Sequence, residues 1–403
     1  MKGALVIGAG PAGLMAAEEL ARAGHPVTIA ESMPTPARKF LMAGKSGLNL
    51  TRNEPLPDFM QNFSTGKGGC LPLHPQGYFS RSEHVFGPSG VMKWAEDLGI
   101  ALFTGSTKRV FPAEMKASPL LRAWLGQLRD LGVRLQTRWH WQGFADRALT
   151  FTTPEGQQVL RPEVCVLALG GASWPKLGST AQWVPWLQAK GVEVAPFQPA
   201  NVGFRVNWSK SMSRHFGQPV KGTAIQAGNM VSRGEWVISC SGMEGGGIYA
   251  VSAAIRDGAR VVLDLVPDLG INALESRFSR PRGKLSVGNW LRRVLGDPVK
   301  VALLLEWGQS RPLDAQGWAA HAKALPIRHD GPMGIERAIS SAGGIRFSAL
   351  NTDFGLHALP GTFVAGEMLD WEAPTGGYLL THCLGMGRYA GRSAAGYLAA
   401  ARR

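Results

Sequence analysis

The first hydrophobic run of the chain, ALVI over residues 4 to 7, has no polar interruption, the pattern of a parallel strand covered on both faces. A glycine turn follows, and then Leu14, Ala17, Leu20 and Ala21 recur at helical spacing. A second apolar run, VTIA, ends at Glu31. Further along, EVCVLALGGASWPKLGST (163 to 180) reads as a buried strand that emerges at Gly170-Gly171. GTFVAGEMLDWEAPTGGYLLTHCLGMGRYAG (361 to 391) reads as another strand, turn and helix, opened by Gly376-Gly377 and with Asp370 soon after Gly366. Between these blocks the period changes. Residues 192 to 265 alternate and carry glycine turns, as short strands do. Residues 272 to 325 favour helix, with ALLLEWG and AQGWAAHAKAL as amphipathic pieces.

The first strand, turn and helix carry chemistry. Gly8-x-Gly10-x-x-Gly13 supplies a tight turn, backbone access to a pyrophosphate, and close helix–strand packing. The helix N-terminus then faces the diphosphate with unpaired N–H groups and about half a positive charge. Glu31 stands 23 residues after Gly8, where an acid receives ribose hydroxyls and disfavours a 2′-phosphate. FAD or NAD therefore fits better than NADP. The distant segments at 163 to 180 and 361 to 391 favour FAD, because a self-contained NAD domain does not need them. No second GxGxxG is visible, so NAD(P)H would act as a transient reductant, or oxygen would be the electron partner.

Gly44-Lys45-Ser46 looks like the end of an ATPase phosphate loop. That loop needs glycine five positions earlier, where Lys39 stands, and a buried strand in place of SMPTPARKF. The ATPase reading fails.

Composition narrows the class further. The 403 residues, 45% hydrophobic and 18% charged, suffice for two or three globular domains. Cys70, Cys165, Cys240 and Cys383 show no Cys-x-x-Cys spacing and read as reduced thiols. No stretch is apolar enough to span a bilayer, and the chain is expected to be cytoplasmic. His74, His84, His215, His329 and His382 lack metal-ligand spacing, so no metal is expected. The 13 tryptophans are dispersed and read as core and interface residues. Net charge is +14, and residues 271 to 300 hold seven Lys or Arg against two acids. That cluster suits either an acidic partner such as RNA or a solvated helix face. CSGMEGGGIYA (240 to 250) serves equally as a substrate lid or as a glycine hinge.

Six blocks in order give the chain a family resemblance: GAGPAGLMAA, ARKFLMAGKSGLNLTR, KRVFPAEMKAS, LALGGASWPKLGST, AGGIRF and AGEMLDWEAPTGGYLL. The chain resembles the YhiN/BaiN-type FAD-dependent oxidoreductases over nearly its whole length. The resemblance implies an α/β fold, a Rossmann-like FAD-binding domain interrupted by an insert. The expected boundaries are 1–191 and 343–403 for the FAD domain. The insert, 192–342, would comprise a small β-barrel (192–265 and 326–342) and a helical subdomain (266–325).

Carried over by position, the resemblance implies non-covalent FAD contacts at Gly8, Gly10, Gly13, Glu31, Arg38, Lys39, Gly44, Asn49, Thr51, Val110, Gly170, Gly366, Glu367, Gly377, Tyr378 and Leu379. Arg38 and Lys39 would neutralise pyrophosphate or ribose oxygens, and the backbone at Val110 would pair with adenine. His382 and Cys383 either approach the flavin or pack their helix on the sheet. The family includes enzymes that reduce uridine in ribosomal RNA and enzymes that oxidise small amines, so the substrate is a small molecule or RNA. A non-catalytic FAD-binding sensor is the third reading. Gly47 and Leu48 stand where the family has Arg and Cys, Lys45 and Ser46 replace glycines, and GGYLLTHC replaces GGYNLQWA. These departures mark a sister branch.

Overall fold

A computed structural model of the chain describes residues 1–42, 47–65, 86–146, 148–308 and 311–402. Gly44, Lys45, Ser46, Cys70, His74 and His84 lie outside the described residues. The chain divides into two units, Met1–Gln198 with Ser340–Arg403, and Pro199–Ile339.

In the first unit the chain runs through β1 (Ala4–Ile7), α1 (Pro11–Arg22), β2 (Val27–Glu31) and the short α2 (Arg38–Leu41). Then come β3 (Thr51–Arg52), β4 (Leu102–Thr104), β5 (Arg109–Pro112), β6 (Arg134–Thr137), β7 (His140–Ala145), β8 (Ala148–Thr153), β9 (Gly156–Leu160) and β10 (Val164–Leu167). After the second unit the chain adds a strand at Thr362–Val364 and a long helix at Tyr378–Ala401.

Five strands form one parallel sheet in the order Thr362–Val364, β10, β1, β2, β6. Val6 at its centre faces Val166 on one side and Ile29 on the other. All four residues of β1 are buried, as a strand covered on both faces requires. The helix Tyr378–Ala401 packs on α1 through small residues. A Cβ at Gly387 would stand 2.2 Å from the Ala12 carbonyl oxygen, and one at Gly391 would stand 2.6 Å from that of Ala16. The unit also holds two antiparallel three-stranded sheets, β3-β5-β4 and β7-β8-β9.

The second unit has its own core, centred on Phe204, Trp236, Ile238, Leu263 and Leu304. It contains two four-stranded antiparallel sheets and the helices Ile271–Phe278, Val287–Leu295, Pro298–Trp307 and Ala315–Lys323. Ser286, Asp297 and Asp314 cap the last three of these helices, each accepting a backbone N–H with its side chain. Among the described residues no helix is long and apolar enough to cross a membrane. No group of His, Cys, Asp and Glu among them could hold a metal ion.

Candidate functional site

The turn after β1 explains its glycines one by one. Gly8 has φ +102°, and a Cβ there would stand 2.3 Å from the carbonyl oxygen of Ala168, just beyond β10. A Cβ at Gly13 would stand 1.9 Å from the Gly8 carbonyl. These two glycines let β1, β10 and α1 meet. Gly10 is different: its φ of −79° suits any residue, and a Cβ there would meet nothing within 4 Å. It faces open space at the start of α1, the cradle into which a diphosphate backbone fits.

Glu31 closes β2 beside this turn and is 8% exposed. One carboxylate oxygen accepts from Ala9 N at 2.8 Å, the other from Met33 N at 2.8 Å. Ser32 Oγ also donates to the second oxygen at 3.4 Å, so with about four acceptor positions on the carboxylate the oxygen that accepts from Ala9 N can still receive a hydroxyl.

These residues line a cleft of ≈ 710 Å³ across the carboxyl ends of β1, β2 and β10, where open parallel sheets bind ligands. The cleft brings together seven residues expected from the sequence: Gly8, Gly10, Glu31, Arg38, Lys39, Gly170 and Glu367. Lys39 and Glu367 meet each other. Lys39 Nζ donates to Glu367 Oε2 at 2.6 Å and to Ser173 Oγ at 2.6 Å, while Glu367 Oε1 accepts from Ser341 N at 2.9 Å. Arg38 also lines the cleft and has no acidic partner among the described residues.

The far wall was not legible in the sequence. Trp139 and then His140, Trp141 and Gln142 of β7 form it, together with Trp183 and Trp186. Trp141 and Trp186 meet edge to face, centroids 5.1 Å apart. β7 is an edge strand, and its register against β8 shifts between Trp141 and Phe144. Trp141 Nε1 and Ser179 Oγ are buried here without a hydrogen-bond partner. With the open cradle at Gly10, these donors fit a dinucleotide such as FAD. The one available signal was five tryptophans and a histidine within residues 139 to 186, the first of them two positions after a strand of the parallel sheet.

The structure does not bring Val110 to the cleft. Val110 sits in the middle strand of β3-β5-β4, facing Thr51 on one side and Thr104 on the other, so its backbone has no free edge for adenine. The strand edge at the cleft is β7. Gly13, Asn49, Thr51, Gly366, Gly377, Tyr378 and Leu379 also lie off the cleft lining. Gly366 packs on Ala12, its Cβ position 2.8 Å from the Ala12 Cβ. Thr51, Gly377 and Tyr378 form a second cluster at the start of the helix Tyr378–Ala401. A Cβ at Gly377 would stand 2.4 Å from the Thr51 backbone, and Thr381 donates to Thr51 Oγ1 at 2.7 Å.

His382 and Cys383 part company. Cys383 lines the cleft, and burial, with the Glu367 carboxylate adding, pushes its thiol up to about 12. His382 packs between Phe63 and Trp371, ring centroids 4.5 Å from each, and burial lowers it to about 3.

A family model described as the HI0933-like protein Rossmann domain matches residues 2–393. The chain is similar to the ribosomal RNA dihydrouridine synthase of Escherichia coli K12, 22% identical over 93% of each chain. It is also similar to the 3-dehydro-bile acid delta(4,6)-reductase of Clostridium scindens, 24% identical over 97% of this chain and 98% of that one. In fold it resembles the 3-ketosteroid-delta4-(5alpha)-dehydrogenase of Rhodococcus jostii RHA1, with TM-score 0.50, 17% identity, and coverage of 98% and 96%.

Proposed function

The chain belongs to the HI0933-like family and is an FAD-dependent oxidoreductase, and we propose that it reduces a carbon–carbon double bond conjugated to a carbonyl. Uracil and an unsaturated 3-oxo bile acid share that feature, and both named relatives saturate it. FAD, when bound, supplies hydride chemistry. The chain's own residues then bind and orient. The cradle at Gly10 with Arg38 would hold the diphosphate, Glu31 a ribose, and the β7 edge with its tryptophans the adenine end. Lys39, neutralised by Glu367, fixes the opposite wall. We read the second unit as a β-barrel and helical insert.

The substrate we favour is a uridine in structured RNA, with NAD(P)H as reductant. The observation that carries this reading is on the second unit. Arg277, Arg280, Arg282, Lys284, Arg292 and Arg293 are all exposed, and none is ion-paired among the described residues. The seventh cation of this stretch, Lys300, instead donates to the Gly222 carbonyl at 2.7 Å. Unneutralised cations on one short stretch are what phosphate contacts require. Oxidation of a small amine has no such use for them. The test is mass spectrometry of nucleosides in RNA from a deletion strain and its parent. Loss of one dihydrouridine is expected, and an unchanged profile would refute the RNA reading.

A further inference from the structure

Away from the cleft, the register of β3 against β5 sets Arg52 directly opposite Arg109. Like charges facing each other across an antiparallel ladder are destabilising. The fold compensates only one of them. Arg52 Nε donates to Glu54 Oε2 at 2.9 Å, and its guanidinium lies 5.7 Å from the ring centroid of Tyr378. The other Glu54 oxygen accepts from the Tyr378 hydroxyl at 2.7 Å. Arg109 has no acidic partner among the described residues, and its Nε is buried with no hydrogen-bond partner.

The surroundings add more positive character. Gly376, at φ +113°, makes room for Arg109, since a Cβ there would stand 3.3 Å from its Nε. The helix that begins at Tyr378 is 24 residues long, and its N-terminus carries partial positive charge. Burial first, and then the bond to Glu54, hold Tyr378 protonated, so its phenol supplies no counter-charge. Two guanidinium groups and a helix N-terminus thus share one carboxylate. Both arginines are partly exposed, so a ligand can reach them.

We propose that Arg52 and Arg109 form an oxyanion site that anchors a carboxylate or phosphate group of the substrate. A guanidinium fork matches either group with two parallel hydrogen bonds. The anion also removes the repulsion between the two strands, so binding stabilises β3-β5 in a way that no described side chain does. The assignment of the anion to the substrate rests on the reductase reading above.

The test uses the FAD-loaded enzyme in a low-salt buffer free of phosphate and carboxylate. Inorganic phosphate and succinate are titrated separately by calorimetry into wild type, Arg109→Gln and Arg109→Lys. Saturable binding is expected, weakened about tenfold or more in Arg109→Gln, with Arg109→Lys between the two because it keeps charge without the fork. Preference for phosphate points to a nucleic-acid substrate, and preference for succinate to a carboxylate substrate. No saturable binding by wild type, or equal affinity in all three proteins, overturns the site. So does loss of flavin from Arg109→Gln with anion affinity unchanged, which assigns Arg109 to the cofactor. Reduction of the flavin by NAD(P)H is followed on the same samples. Anion binding without reduction would leave the site standing and sink the reductase reading, and reduction without anion binding would do the reverse.

Discussion

Lys39 and Glu367 lie 328 positions apart in the chain and form a 2.6 Å ion pair on the rim of one cleft. The pair ties α2 to the segment after Thr362–Val364, and Ser173 and Ser341 extend it to two more segments. Both side chains are partly exposed, so solvent screens the attraction and the coupling is modest. A double-mutant cycle of Lys39→Met and Glu367→Gln, read by thermal unfolding of apoprotein, should return a coupling of about 1 kcal/mol. Additive effects would show that the pair holds nothing together.

Gly10 and Gly13 should separate cofactor binding from folding. A side chain at Gly10 meets no protein atom within 4 Å, whereas one at Gly13 runs into the Gly8 carbonyl. Gly10→Val is expected to keep the wild-type melting temperature as apoprotein and to purify colourless. Gly13→Val is expected to be poorly folded. Flavin absorbance and thermal melts on the two variants check this, and a yellow Gly10→Val protein would contradict the cradle.

With Lys39 neutralised by Glu367, Arg38 should carry the electrostatic part of cofactor affinity. Arg38→Ala is expected to weaken FAD binding about tenfold or more, the cost of one charge-assisted contact. Lys39→Ala should cost less. Reconstitution titrations of apoprotein with FAD give both numbers.

His382 sets a pH window. Burial lowers it to about 3 from an ordinary value near 6.5, so between these values the unfolded chain binds one more proton than the folded one. Stability from this residue is therefore complete above about pH 6.5 and is lost as pH falls toward 3, by about 1.4 kcal/mol per pH unit. His382→Phe should show a flatter dependence of melting temperature on pH between 6.5 and 4 than wild type. Parallel curves would remove His382 from the acid response.

If the second unit binds RNA through its exposed cations, affinity must fall with salt. Replacing Arg292 and Arg293 by alanine should lower the slope of log K against log salt by about one to two units. Binding to RNA that is insensitive to salt would rule out this surface.

The parts of the fold written in local patterns were legible in the sequence. The apolar run of β1, the three glycines and the acid ending β2 lie within 31 residues and specify one another. The tryptophan wall was not legible, because its place depends on β6 lying beside β2 and on Trp139 N donating to the Glu31 carbonyl at 2.9 Å. Val110 lies off the cleft lining for a similar reason: the three-residue β4 pairs with its strand on one side and the two-residue β3 on the other, and both are too brief to show a period. Lys39 and Glu367 each looked like a cofactor contact, and only the folded chain shows that each is first a contact of the other.

The division of the first unit into two stretches of sequence also sets an order of events during translation. Ala365, Glu367 and Cys383 of the cleft are made only after all of Pro199–Ile339 has been synthesised. Synthesis proceeds at about 5–20 residues per second, so the interrupting unit, with its own core, has seconds to fold while the parallel sheet still lacks its outer strand. The cleft proposed for flavin therefore has its full lining only in a nearly finished polypeptide. Cells short of riboflavin should therefore accumulate chains whose middle resists proteolysis while their two ends do not.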